Sequence, residues 1–158
     1  MARTPSVDIA CSEDDLTEVV AAMRELAAEH RGWVNLSPEV AEGNEPPPRG
    51  LFGWLFSARG EPVPLVTWTP APADGAKASV GIAHGSGPKA LRRLDEAGLD
   101  RPDGSWRRAD HARRGLVLDL APGTDEAEVL GWAVRAAHLL SVAPLTGDWL
   151  ATVYRPGR

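Results

Sequence analysis

The stretch Ser79 to Gly98 limits the fold more than any other, because it prescribes a strand, a sharp turn and a helix in immediate succession. Over Ser79 to His84, alternation sets Val80, Ile82 and His84 on one face and Ser79, Gly81 and Ala83 on the other. The second face is small, which invites another element to approach it closely. Gly85, Ser86 and Gly87 supply the backbone freedom for an abrupt exit. Pro88 suits a first helical position, where its missing N–H costs nothing. Leu91 and Leu94 give the helix a buried edge, and Gly98 fits the residue just past its end.

Lys89 sits badly in this pattern. A cation in the first helical turn opposes the helix dipole, which favours negative charge there by about 0.3–1 kcal/mol. A bound anion would reverse that sign. The turn is therefore a candidate anion site made of Gly85, Ser86, Gly87 and Lys89, with His84 beside it as a candidate general acid–base. Residues 85–90 also satisfy Gly-x-Gly-x-x-Ala, a spacing used to cradle dinucleotides. Pro88, the bulk of Lys89 and the eighty or so residues before the strand argue against it, so no cofactor is expected. His-Gly-Ser-Gly has the wording of an esterase oxyanion loop, but no Gly-x-Ser-x-Gly nucleophile turn accompanies it.

The other elements follow from periodicity. Residues 1–11 read as a loose leader, or as a short strand at Val7 to Ala10. Ser12 then caps a helix with Glu13, Asp14 and Asp15 in its first turn. Leu16, Val19, Val20, Met23, Leu26 and Ala27 carry the 3.6 period, His30 continues the stripe, and Gly32 ends it. Trp33 to Leu36 is a short strand, and 38–50 a proline-rich loop. Val63 to Thr69 is β-rich, and Pro62, Pro64 and Pro70 push it toward a sheet edge.

Leu99 to Arg114 reads as a polar connection ending in Trp106-Arg107-Arg108-Ala109-Asp110-His111-Ala112-Arg113-Arg114. If it folds back over the glycine turn, His111, Arg113 and Arg114 join the anion site. Strand 115–120, helix 124–141 with Thr124 as its cap, and strand 149–154 complete the chain before a loose tail at 155–158. His138 is expected to face solvent. Strands and helices alternate through this half, which permits crossovers and a partly parallel sheet. The expectation is an α+β protein: a single domain over 1–158, a two-layer sandwich with three helices on a mixed sheet of five or six strands.

Leu51 to Phe56 is the most apolar stretch, and Phe52, Trp54 and Phe56 are a candidate partner surface or homodimer seam. The alternative is plain core. Charge is uneven: residues 1–48 hold three arginines against ten acids, and 89–114 hold eight Lys and Arg against five acids, within a net of −5. That net, with only Trp106 among the arginines, speaks against nucleic acid. No apolar run is long enough for a membrane span. The single cysteine, Cys11, excludes an internal disulfide and suits the cytoplasm. Histidines 30, 84, 111 and 138 lack ligand spacing, so no metal is expected. Three functions stay open: a binding module for an anionic small molecule or peptide carboxylate, a small enzyme using His84, and an interaction protein using 51–56.

Overall fold

The computed structural model describes residues 3–43 and 61–157. The protein is α+β, with three helices and a seven-stranded sheet among the described residues. In chain order the elements are β1 (Ser6–Ser12), α1 (Thr17–Glu29), β2 (Trp33–Val40), β3 (Leu65–Thr69), β4 (Ser79–Ala83), α2 (Ala90–Glu96), β5 (Trp106–His111), β6 (Gly115–Asp119), α3 (Glu126–Leu140) and β7 (Leu145–Tyr154). Across the sheet the order is β1-β7-β2-β3-β4-β6-β5.

Every neighbouring pair is antiparallel, which corrects the expectation of a mixed sheet of five or six strands. The cause lies in β5, which occupies what reads as a polar connection. Without it, β4, α2 and β6 would form a parallel crossover. With it, α2 leads from β4 into β5, and the hairpin back into β6 runs antiparallel to both. All three helices join strands that run the same way, yet another strand always lies between those two. Among the described residues, crossovers are thus present and parallel pairings are not.

Alternation builds the core. Val153, Val34, Trp68, Val80 and Leu118 lie directly opposite one another across five strands, and Ile9, Ala151, Leu36, Val66, Ile82 and Leu116 form a second row. Both rows are buried, in one cluster with Val19, Met23 and Leu26 of α1, Leu91 and Leu94 of α2, and Leu130, Val134 and Leu140 of α3. The helices therefore cover the Val80 and Ile82 side, not the small Ser79, Gly81 and Ala83 side. Burying a Leu or Ile side chain is worth about 1.5–3 kcal/mol, far more than a helix needs by way of propensity. The other face carries Asp8, Thr152, Asn35 and Thr67 in one row, tied by Thr152 Oγ1 to Asp8 (2.8 Å) and Thr67 Oγ1 to Asn35 (2.9 Å).

Several boundaries move for local reasons. The strand alternative for the N-terminal stretch holds and lengthens: Ser6–Ser12 pairs with β7 residue by residue. Ser12 is consequently a strand residue and not a cap; α1 starts at Thr17, whose N–H is received by Asp15 Oδ1 at 3.2 Å. β2 runs on through Pro38 to Val40, the missing donor being absorbed by a register shift between Pro38 and Val40. β3 is interior, because Pro62, Pro64 and Pro70 all lie outside Leu65–Thr69.

Gly115 is held at φ +80°, where a Cβ would overlap the Ile82 carbonyl. Gly43 has a similar φ of +82° with open space around it. Gly115→Ala is expected to lose at least about 2 kcal/mol in urea unfolding, and Gly43→Ala about 1 kcal/mol or less. Equal losses would mean that the close approach at the start of β6 is not a packing constraint.

Candidate functional site

The residues singled out at the glycine turn come together at one end of the sheet. β4 ends at Ala83, and His84 continues into the core at 1 % exposure. Its Nδ1 accepts the Ser86 N–H (3.2 Å) and faces the Ser86 hydroxyl (2.9 Å). A ring nitrogen that accepts a backbone N–H carries no proton, so the neutral ring is protonated on Nε2. That Nε2 is buried without a hydrogen-bond partner among the described residues. Burial above all, then the Arg93 guanidinium, holds the imidazole below its ordinary value, with Asp110 acting the other way.

Arg93 ties the turn together from α2. Its Nη2 donates to Ser86 Oγ (3.1 Å) and to the Gly87 carbonyl (3.0 Å), and its Nε to the Pro88 carbonyl (3.3 Å). Gly87 supplies a φ of +96°. Lys89 is the residue before α2 and adopts a left-handed conformation (φ 59°, ψ 39°), a rare state for a residue with a side chain. The helix therefore begins two residues later than Pro88, and Pro88 lies in the turn.

A carboxylate does meet the first amides of α2, and it belongs to the protein. Asp110 Oδ1 accepts the Ala90 N–H and Oδ2 the Leu91 N–H, both at 3.0 Å. The dipole argument made from Lys89 is thus answered by a side chain twenty positions further on. A ligand anion at those amides would have to displace Asp110. The same two bonds draw the β5–β6 hairpin, which carries His111, Arg113 and Arg114, against the turn that carries Lys89. All four are exposed. His111 Nδ1 accepts the Arg113 N–H at 3.1 Å, closing the hairpin loop on itself. The nearby cations are engaged elsewhere: Arg92 with Glu96 (2.9 Å), Arg93 in the turn, and Arg108 with Asp119. Lys89, Arg113 and Arg114 make no side-chain hydrogen bond or ion pair among the described residues.

Arg93 and Asp110 are the site residues that sequence reasoning missed. Arg93 carried a usable signal, standing one helical turn beyond Lys89. Asp110 carried none, since its partners are remote in the chain. The remaining histidines lie apart. His30 is the left-handed C-cap of α1 and not part of its apolar stripe, with Nδ1 3.1 Å from the Ala71 carbonyl. His138 is half-buried, and its Nδ1 lies 2.6 Å from Glu13 Oε1, which also receives Trp149 Nε1 at 3.1 Å. Cys11 has its thiol pushed up to about 11, by burial first and then by Asp148, Asp15 and Glu18, so it is a poor nucleophile near neutral pH. No group of three or more His, Cys, Asp and Glu among the described residues is arranged to hold a metal. Phe52, Trp54 and Phe56 lie outside the described residues.

Two measurements follow. Asp110→Ala is expected to lose about 2 kcal/mol, because the Ala90 and Leu91 amides keep no acceptor, whereas Lys89→Gly is expected to gain roughly 0.5–1 kcal/mol by relieving the left-handed backbone. Chemical denaturation of both variants checks this, and a neutral Asp110→Ala would remove the bridge from the account. For His84, the folded state holds the ring below the 6.5 of the unfolded chain. Its contribution is therefore whole above about pH 6.5 and falls away as pH drops toward the folded value. The wild type should lose stability between pH 7 and pH 5 more steeply than His84→Asn, which keeps an acceptor for Ser86 but cannot titrate; parallel curves would show that folding leaves the proton affinity of His84 unchanged.

No protein-family model, curated protein or solved structure matches this chain, and its function is to be read from this geometry.

Proposed function

We propose that the chain is a binding module whose basic corner, formed by Lys89, His111, Arg113 and Arg114, receives the acidic groups of a partner. The observation that carries the reading is the Asp110 bridge. It holds two segments some twenty residues apart in a fixed arrangement and satisfies the α2 amides internally. The cations around it are left directed to solvent. In a chain with a net charge of −5, such a corner is a local reversal of sign that can steer an acidic partner.

The strength of each contact narrows the partner. An exposed ion pair is worth about 0–1 kcal/mol, so a single phosphate or carboxylate gains little here. Several acidic groups on one segment, meeting two arginines and a lysine together, gain enough to bind. Arginine favours carboxylate and phosphate oxygens through its planar fork. An acidic peptide segment is therefore a better fit than a free small anion. The module belongs in the cytoplasm on this reading, where the lone, unactivated Cys11 is unproblematic. No helix among the described residues is long and apolar enough to cross a membrane.

A second reading keeps His84 as a general acid–base, and the unpartnered Nε2 favours it. It requires that Ser86 and Arg93 swing away to open the ring to substrate, which costs four hydrogen bonds of the turn.

Fluorescence anisotropy with a labelled glutamate-rich peptide tests the first reading. Binding should weaken as salt is raised from about 20 to 150 mM. The Arg113→Glu, Arg114→Glu double variant should bind at least about tenfold more weakly with an unchanged melting temperature. Inorganic phosphate at equal charge concentration should compete poorly. Peptide binding that is indifferent to the double variant would refute the corner as the site.

A further inference from the structure

The opposite end of the sheet carries a concavity that the basic corner does not use. β3 leaves the sheet at Thr69 into Pro70, Ala71 and Pro72, turns with Gly75 N–H on the Pro72 carbonyl (3.3 Å), and returns to β4. Alongside, β6 leads through Leu120 and Pro122 into α3, and Thr124 Oγ1 holds the Ala121 carbonyl at 2.6 Å. Leu120 N–H on the Ala78 carbonyl (2.9 Å) joins the two excursions. Between them lies a cavity of about 470 Å³ whose lining includes Trp68 and Leu120 from the core. That size suits a small organic molecule.

Its chemistry is specific. Pro70, Pro72 and Pro122 present no N–H, and Ala71, Ala76 and Ala78 are too short to fill the space. Three ionisable side chains line it: His30, Lys77 and Glu126. The Lys77 ammonium has no hydrogen bond or ion pair among the described residues. Glu126 lies 3.8 Å from the Arg24 guanidinium. His30 must donate from Nδ1 to the Ala71 carbonyl, since a carbonyl only accepts, and this leaves Nε2 for another partner. His30 also holds a left-handed backbone (φ 55°) at a helix end where glycine is the ordinary choice. Strained residues of this kind concentrate where a side chain is needed for more than packing.

The geometry points to a second binding site in this cavity, for a small monocarboxylate with an apolar body. Trp68, Leu120 and the proline walls receive the apolar body, and Lys77 receives the carboxylate. His30 Nε2 makes a further polar contact. Glu126 on the same rim opposes a second negative charge, which selects one carboxylate over a dianion.

Three probes of one shape, phenylbutyrate, phenylbutanol and phenylbutylamine, test the charge preference by amide and indole chemical-shift titration. The acid is expected to shift the Trp68 indole and residues 70–78 and 120–124 saturably below about 10 mM, the range that small fragments reach. It should bind about fivefold or more tighter than the amine, the size of one partly exposed ion pair. Lys77→Glu should invert that order. His30→Gly should weaken all three probes while raising the melting temperature, a combination that a purely structural histidine does not give. Absence of saturable shifts at these residues with the acid, or an unchanged order in Lys77→Glu, overturns the proposal. Neither result bears on the basic corner, which lies at the other end of the strands.

Discussion

The carboxylate of Asp110 settles more of this structure than any other polar group. Both its oxygens accept amides of α2, so one side chain caps a helix, anchors the edge strand β5 and pins the β5–β6 hairpin to the turn that follows β4. A seven-residue helix has little stability of its own. It persists because Leu91 and Leu94 are buried and because its first N–H groups are satisfied from outside. With that end fixed, Lys89 can hold its left-handed backbone and Arg93 can reach back over the turn. The electrostatics of the corner then follow: one internal anion is consumed by the helix, and the surrounding cations face water.

The sheet beneath it is a rigid platform for the same reason that its topology is unusual for helices that alternate with strands. Each helix links strands running in the same direction, while another strand inserted between them makes every ladder antiparallel. Two apolar rows run straight across the interior strands and bury one face, which leaves both ends of the sheet to turns. Those ends differ in chemistry. At one, a glycine turn tied by Arg93 closes over a buried histidine. At the other, prolines and alanines leave a cavity that reaches Trp68. The two non-glycine residues with positive φ among those described, His30 and Lys89, fall one at each end.

His84 shows how burial changes what a residue can do. In sequence it stands at the mouth of a glycine turn, where a general acid–base would be placed. In the fold its Nδ1 is occupied by Ser86 and its ring is sealed under the turn, so its lowered proton affinity reports desolvation and a neighbouring guanidinium. Cys11 shifts in the opposite direction, its proton held more tightly: burial and three carboxylates disfavour the thiolate. For both groups, the environment determines reactivity and the residue type does not.

From its residues alone, the chain could be assigned to the α+β class, its three helices placed within a few positions, and the strand–turn–helix unit at its centre recognised. Those features depend on alternation, on the 3.6 period and on glycine and proline chemistry, all of which act within a few residues. The grouping of His111, Arg113 and Arg114 with the turn was also conceivable, as a loop folding back. Tertiary structure alone decided the rest. β5 has a polar, exposed sequence because it is an edge strand with few neighbours to bury it, so periodicity could not reveal it, and with it went the direction of β6 and the whole antiparallel arrangement. The carboxylate that answers the dipole of α2, and the cavity between two turns nearly fifty residues apart, arise from contacts between segments remote in the chain. Local patterns carry no record of such contacts, because the partners meet only after the core has formed.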